Sequence, residues 1–314
     1  MTGGAGYIGG HVVRALRERG DDVVVVDDLS AGTADRIPGV RLERIDLAAP
    51  GAAGLVAEVL RDSGADGIIH LAARKRVDES VARPVWYHAQ NGGGMLAVLE
   101  AAADTGVERL VFSSTAAVYA SSDEPVIEES PTVPANPYGE TKLVGEWMLR
   151  AQTTATGLRG VSLRYFNVAG TVAPELADTA GGNIVPMVLD RIAAGEQPMV
   201  FGDDYPTPDG TCVRDYIHVA DVASAHLAAL DALGGEPGYR VYNIGTGTGT
   251  SVRQLVGALL EAAGSGLAPL IQPRRAGDPA VVVADATRIR TELGWAPEHD
   301  LASIVASSWA ARAG

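Results

Sequence analysis

One cysteine, Cys212, stands in 314 residues. No internal disulfide can form, which fits a reducing, cytoplasmic setting better than a secreted, disulfide-stapled scaffold. Positive charge is also scarce. Lys and Arg number 25 against 39 Asp and Glu, a net −14. That balance argues against nucleic acid or an anionic membrane as partner, although it leaves room for a local basic pocket that takes phosphates. No apolar run reaches the roughly 18 residues of a membrane span, and no signal peptide is recognisable. Repeats and low-complexity segments are absent. The six histidines are scattered, none in a ligand spacing such as H-E-x-x-H, so no metal site is expected. The last shortage is at the start. Only Met1 and Thr2 precede a glycine-rich stretch, and the strand of about five residues that such a stretch should follow is expected to be missing.

What is present is ordinary in bulk. Hydrophobic content of 46% and charged content of 20% suit a globular chain, and the length suits a full core with two lobes. The opening "TGGAGYIGG" (Thr2 to Gly10) reads as Gly4-x-Gly6-x-x-Gly9 or Gly3-x-x-Gly6-x-x-Gly9. A helix follows, with Ile8, Val12 and Leu16 on one face and Arg14, Arg17 and Glu18 on the other, stopped by Gly20. Then comes the strand-like run "DDVVVVDD" ending at Asp27, 18 residues past Gly9. A glycine turn alone arises by chance. Followed in register by helix, strand and acid, it makes a dinucleotide site: backbone close to a pyrophosphate, a helix N-terminus facing it, and a carboxylate for the ribose. That carboxylate would repel a 2′-phosphate, so NAD is preferred to NADP.

Strand-like runs at 23–27, 40–46, 67–72, 109–115 and 160–166 alternate with helical patterns near 8–19, 52–63, 84–105 and 137–156. This is the pattern of an α/β chain with a doubly wound parallel sheet. Ligands of such sheets lie at the carboxyl ends of the strands, here "HLAARK", "FSSTAAVY" and "RYFNVAG". Helices near 183–194, 219–233 and 251–264 suggest a smaller mixed α/β lobe. The division expected is 1–170 for the dinucleotide domain, with crossover segments near 215–245, and 171–314 for the substrate lobe.

"PYGETK" sets Tyr138 and Lys142 four apart near a helix start, hence on one face. A tyrosine titrates near pH 10, and an adjacent cation favours its phenolate. Tyr138 is therefore a candidate general base for a hydroxyl. Thr115, at the end of "RLVFSST", could share that proton. Each feature also has a plain reading, a surface Tyr with a solvated Lys or a Thr capping its own strand.

The segments "TGGAGYIG", "HLAARKRVDES", "FSSTAAVY", "NPYGETK", "RYFNVAG", "DDYPTPDGTCVRDYIHVAD", "YNIGTG" and "RRAGDP…ADATR" follow one another in this order. Together they resemble the UDP-glucose (UDP-galactose) 4-epimerases of the extended short-chain dehydrogenase/reductase family, over essentially the whole chain. The resemblance implies a Rossmann-type fold, NAD held through turnover, a UDP-sugar substrate, a homodimer, and Tyr138, Lys142 and Thr115 as the catalytic set. Lys142 would hold the nicotinamide ribose and lower the pKa of Tyr138. It also implies cofactor contacts from Gly3, Gly6, Tyr7, Ile8, Gly9, Asp27, Asp46, Leu47, Leu71, Ala72, Ala73, Lys75, Asn91, Ser113 and Phe166. For the UDP-sugar it implies Thr115, Asn167, Asn183, Phe201, Arg214, Tyr216, Arg275, Asp278 and Val282. Arginine's planar fork suits the diphosphate at Arg214 and Arg275. Val282 stands where a bulky tyrosine narrows the sugar pocket in many members, which implies room for N-acetylated UDP-hexosamines.

The chain departs from the family at Ala120, usually glycine, and in the form of "NGGGM". A 4,6-dehydratase would need an acid pair after Thr115, where Ala116 and Ala117 stand. A UDP-glucuronate epimerase or decarboxylase stays open, opposed only by "PTPDGT". A non-catalytic NAD sensor on the same fold also stays open, although such proteins often lose the Tyr or the Lys.

Overall fold

The computed structural model describes residues 1–120, 122, 124–179, 181–275 and 278–313. Helix α1 (Tyr7–Arg19) leaves the glycine turn directly, and Gly20, at φ 97°, ends it. Val12 and Leu16 are buried while Arg14, Arg17 and Glu18 are exposed, as the periodicity requires. Strands β1 (Val24–Asp27) and β2 (Arg41–Arg44), helix α2 (Ala52–Ser63), strand β3 (Ile68–His70) and helices α3 (Val77–Ala82) and α4 (Pro84–Thr105) follow. Next come β4 (Arg109–Thr115), α5 (Pro137–Thr156), β5 (Arg159–Tyr165), β6 (Asn167–Ala169), α6 (Ile184–Ala193), β7 (Met199–Phe201) and β8 (Val213–His218). The chain continues through α7 (Val219–Ala232), β9 (Gly238–Ile244), β10 (Gly249–Ser251), α8 (Val252–Ala262), β11 (Leu270–Gln272), β12 (Val281–Val282), α9 (Thr287–Leu293) and α10 (Leu301–Ala313).

Two compact units form. The first holds 1–120, 131–164 and 223–242; the second holds 121–130, 165–222 and 243–314. The first unit is a sheet between helices. β1 pairs with β2 and β3 with β4, both parallel, and β3-β4-β5-β9 are neighbours in that order. The place of the first strand is not empty, because Met1 and Thr2 take it. Thr2 N donates to Ile69 O at 2.9 Å, and Leu71 N to Thr2 O at 3.1 Å. Val26 N donates to Met1 O at 2.8 Å, and Gly3 N to Val26 O at 2.9 Å. Thr2 bridges β1 and β3 in parallel, so the glycine turn still springs from between two parallel strands. Val56, Leu60, Met95, Val98, Leu110, Phe112 and Leu149 pack as one apolar layer beside the sheet.

The second unit is organised around β8. It pairs with β10 antiparallel and with β12 and β6 in parallel. Its Asp215 is fully buried. The carboxylate accepts from Thr246 N at 2.9 Å, Thr246 Oγ1 at 2.7 Å, Gly247 N at 2.9 Å and Ala284 N at 3.2 Å. Burial raises its pKa and these donors oppose the rise. One side chain therefore ties β8 to the turn before β10 and to Ala284, two residues past β12. Asp215→Ala orphans several buried donors at once and is expected to destabilise the protein by about 3 kcal/mol, read from urea unfolding.

Candidate active site

In the first unit the glycine turn is shaped by close approach. A Cβ on Gly9 would lie 2.1 Å from Gly3 O, and one on Gly3, at φ +71°, would lie 2.5 Å from Ala72 N. Gly6 differs: the nearest atom to a Cβ there is Gly3 O at 3.4 Å. The protein leaves the space in front of Gly6 open, at the start of a helix with no side-chain cap and no acid in its first turn. Tyr7 and Ile8 form that first turn. This is the geometry that accepts an anionic group on backbone N–H donors. Asp27 closes β1 beside it. Its carboxylate accepts from Ala5 N at 3.0 Å and Leu29 N at 2.9 Å, so it also pins the turn; burial raises its pKa against those two donors. Asp46 lies in the loop after β2 and caps Ala48 N at 2.9 Å, while Leu47 is buried in the apolar layer.

The loop after β3 carries Leu71, Ala72, Ala73 and Lys75. Asn91 on α4 staples it. Its amide donates to Arg74 O at 3.0 Å and Thr141 Oγ1 at 2.8 Å, and its carbonyl accepts from Arg74 N at 2.8 Å. The Asn91 side chain is thus used within the protein, positioning the loop between α4 and α5.

Tyr138 and Lys142 lie on the first turns of α5. Asn136 caps that helix, accepting from Gly139 N at 3.0 Å. Gly139 then rides over the turn that follows β4, where a Cβ would meet Ala117 O at 2.3 Å. That close approach brings Tyr138 beside Thr115, whose hydroxyl acts on the phenol. Burial raises the Tyr138 pKa, and the Thr115 hydroxyl opposes the rise. Lys142 is 3% exposed. Its Nζ donates to Ser113 O at 2.8 Å and stands 4.9 Å from the centre of the Phe112 ring. Burial pushes its pKa down to about 7, with Glu146 one turn on pulling it up. Ser113 Oγ is bonded to His226 Nε2 at 2.9 Å, so its backbone carbonyl, not its hydroxyl, serves Lys142.

A buried ion pair backs this cluster. Glu146 accepts from Arg164 Nε at 2.9 Å and Nη2 at 2.6 Å, and from Ser114 Oγ at 2.5 Å. Neither this pair nor the Asn91 staple is signalled by spacing in the sequence. The only hint is that Glu146 lies one helical turn beyond Lys142.

In the second unit, Phe166 is buried between β5 and β6, its N–H donating to Ile244 O at 3.2 Å. Asn167 opens β6 opposite Tyr216 of β8. Tyr216 packs in the apolar core with Val185, Leu189 and Leu259. Asn183 caps α6 in position and bonds to Asp178. The structure gathers the remaining groups in pairs. Arg214 Nη2 lies 3.6 Å from Asp278 Oδ1, Val282 pairs with Arg214 across β12 and β8, and the Arg275 guanidinium stacks 3.9 Å over the Phe201 ring. Two arginines, an aromatic face and a carboxylate are the equipment for a nucleoside diphosphate. Among the described residues no group of three His, Cys, Asp or Glu could hold a metal ion, and no helix is long and apolar enough to cross a membrane.

Residues 1–245 match the model of the NAD dependent epimerase/dehydratase family. The chain belongs to this family. Among its relatives, the UDP-glucose 4-epimerase of Azospirillum brasilense is 46% identical, over 98% of this chain and 90% of that one. That of Corynebacterium glutamicum is 43% identical, over 99% and 94%. The structure is also similar to solved members of the family. UDP-glucose-4-epimerase from Stenotrophomonas maltophila, with bound NAD and formylated UDP-arabinopyranose, superposes with a TM-score of 0.93 at 40% identity, covering 99% of this chain and 96% of that one. The UDP-Glc/GlcNAc 4-epimerase of Campylobacter jejuni gives 0.85 at 37% identity, covering 99% and 98%.

The family's cofactor fits the residues present. The open space before Gly6 and the uncapped start of α1 suit a pyrophosphate, and Asp27 suits a ribose. Lys142 retains ammonium donors beyond the one it gives Ser113.

The Lys142 pKa carries a testable consequence. About 7 when folded, against an ordinary 10.5, it means the unfolded chain binds the extra proton between those values. Its contribution to stability therefore rises with pH across that window. Urea unfolding of the NAD-free protein and of Lys142→Met, compared at pH 7 and pH 9, should show the parent gaining relative to the variant. An equal change in both would contradict the buried, depressed lysine.

Proposed function

We infer that this protein is an NAD-dependent 4-epimerase that interconverts UDP-galactose and UDP-glucose. The observation that carries the reading is the meeting of Tyr138, Thr115 and Lys142 at the end of β4, in a chain of the epimerase/dehydratase family with UDP-glucose 4-epimerases among its relatives. NAD, when bound, supplies an acceptor and then a donor for one hydride at carbon 4 of the sugar. The chain's own part is to bind, orient and move a proton. Tyr138 takes the proton of the sugar 4-hydroxyl and returns it to the 4-keto sugar after the ring has turned its other face. Thr115 donates a hydrogen bond to the phenolic oxygen, which favours its ionised form. Lys142 holds the nicotinamide ribose and adds positive charge near the phenol.

For the uridine diphosphate the reading assigns Arg214 and Arg275 to the phosphates, Phe201 to the uracil and Asp278 to the ribose, with Asn167 and Asn183 toward the sugar. A homodimer in the cytoplasm belongs to the same reading, on the family resemblance and the single cysteine.

Purified protein given UDP-galactose without added NAD should yield UDP-glucose, followed by the anomeric proton signals in NMR. Tyr138→Phe should lower the rate by at least about a hundredfold, the scale of a lost general base. No turnover even with NAD supplied would sink the galactose assignment.

Val282 supports a wider substrate range, since a half-buried valine pairs with Arg214 where a tyrosine would fill more space. UDP-GalNAc should therefore be a substrate. Val282→Tyr should cut kcat/KM for UDP-GalNAc about tenfold more than that for UDP-galactose, a difference of about 1.4 kcal/mol in transition-state binding.

A further inference from the structure

Two loops rise from the strands that flank the Met1–Thr2 strand. One leaves β1 as Asp28, Leu29 and Ser30; the other leaves β3 and carries Arg74. Between them lies the Gly3–Gly6 turn, which springs from that central strand. Arg74 spans the gap. Its Nη2 donates to Asp28 Oδ2 at 2.7 Å and its Nη1 to Ser30 Oγ. Both arms of the span are anchored. Asp28 Oδ1 accepts from Ser30 N at 2.9 Å and Ser30 Oγ at 2.5 Å. Arg74 is held by its backbone to Asn91 and by its guanidinium to Gln90 Oε1, from Nε at 3.2 Å and Nη2 at 3.1 Å. The Trp86 ring lies 5.5 Å from the guanidinium carbon. Only about a quarter of each charged side chain is exposed, 23% for Arg74 and 27% for Asp28, so water screens the pair only partly.

A surface arginine with no task would not take four hydrogen bonds, two of them across the mouth of a ligand turn. Each bond restricts a long side chain, and an ordinary exposed pair gains little from that. Here the bonds to Asp28 and Ser30 join two loops that leave different strands of the sheet. We propose that Arg74, bridged to Asp28 and Ser30, is a strap over the glycine turn that holds NAD in place between turnovers. The inference rests on the NAD-dependent reading above and deepens it. A dinucleotide held by the Gly3–Gly6 turn and Asp27 would sit between the two loops that Arg74 joins. Its departure would then call for Arg74 to release Asp28. Arg74 is in this role a positioning residue, since it acts by tying the two loops and takes no part in the proton transfer.

The test uses protein loaded with isotopically labelled NAD and chased with excess unlabelled NAD, the bound nucleotide being followed by mass spectrometry. Loading of the parent comes first: a parent that binds no NAD overturns the NAD-dependent reading itself, before any variant is made. With a loaded parent, Arg74→Ala and the isosteric Asp28→Asn should each release NAD about tenfold faster, the scale of one charge-assisted hydrogen bond. The double variant should be no faster than the faster single, because each change breaks the same link. Thermal unfolding of the NAD-free proteins separates this from a general loosening, which would lower the melting temperature together with retention. The strap is overturned if release from either single variant matches the parent, or if the two effects multiply in the double. It is also overturned if faster release appears only in variants whose NAD-free form has lost stability to match.

Discussion

The site depends on how closely α5 can approach the end of β4. Gly139 lies on the Ala117 carbonyl, and Gly145, six residues on, lies on the Phe112 ring, where a Cβ would fall 2.7 Å from a ring carbon. With no side chains at these two positions the helix settles against the strand end. Tyr138 then meets Thr115, and the Lys142 stem is drawn under the Ser113 carbonyl. The Glu146–Arg164 pair completes the arrangement by fastening α5 to Ser114 and to β5. Buried pairs of this kind seldom add net stability, because desolvating both charges offsets their attraction. Here the pair fixes the register of the helix that carries the phenol and the amine.

The second unit uses a different device for the same end. Arg214 and Val282 sit on strands only six and two residues long. A two-residue strand such as β12 holds no geometry by itself. Asp215 joins β8 to the 246–247 turn and to Ala284. Asp221, further along, accepts from Glu298 N at 3.0 Å and His299 N at 3.1 Å, tying the approach to α10. The "VRDYIHVAD" segment thus alternates groups offered to a ligand with carboxylates that hold the backbone.

Much of this was legible in the residues. The 3.6-residue period of α1 and the apolar runs of β1, β4 and β5 placed those elements within a residue or two of where they lie, whereas α3 and β9 were not anticipated. Local sequence dictates the former. What could not be read depends on the folded chain. Met1 and Thr2 occupy the first-strand position because two strands distant in sequence supply their partners, and no local pattern signals a strand two residues long. The units divide at 164–165, with 121–130 joined to the second. That division reflects pairing such as Val126 N to Val283 O at 2.9 Å, which composition does not show. Among the site residues, Tyr138, Lys142 and Thr115 were legible as residue types suited to a reaction. Asn91, Arg74 and Glu146 act through bonds to partners 16 to 50 residues away, and a single sequence carries no sign of such pairs.

The charges at the catalytic end have one more consequence. Burial works against both ionised forms there, raising the Tyr138 pKa and lowering that of Lys142. Burial therefore leaves Tyr138 a neutral phenol at pH 7, with the Thr115 hydroxyl easing it toward the phenolate. A further positive charge beside the phenol would stabilise its anion strongly, since attraction is least screened where water is excluded. Each unit by which the pKa falls corresponds to about 1.4 kcal/mol. The same low polarity that makes Tyr138 a poor base by itself makes it responsive to the charge of its neighbours. Proton removal from the substrate would then be favoured when an oxidised cofactor is in place, and the proton would be returned as that charge is lost. An exposed tyrosine, screened by water, could not be switched in this way.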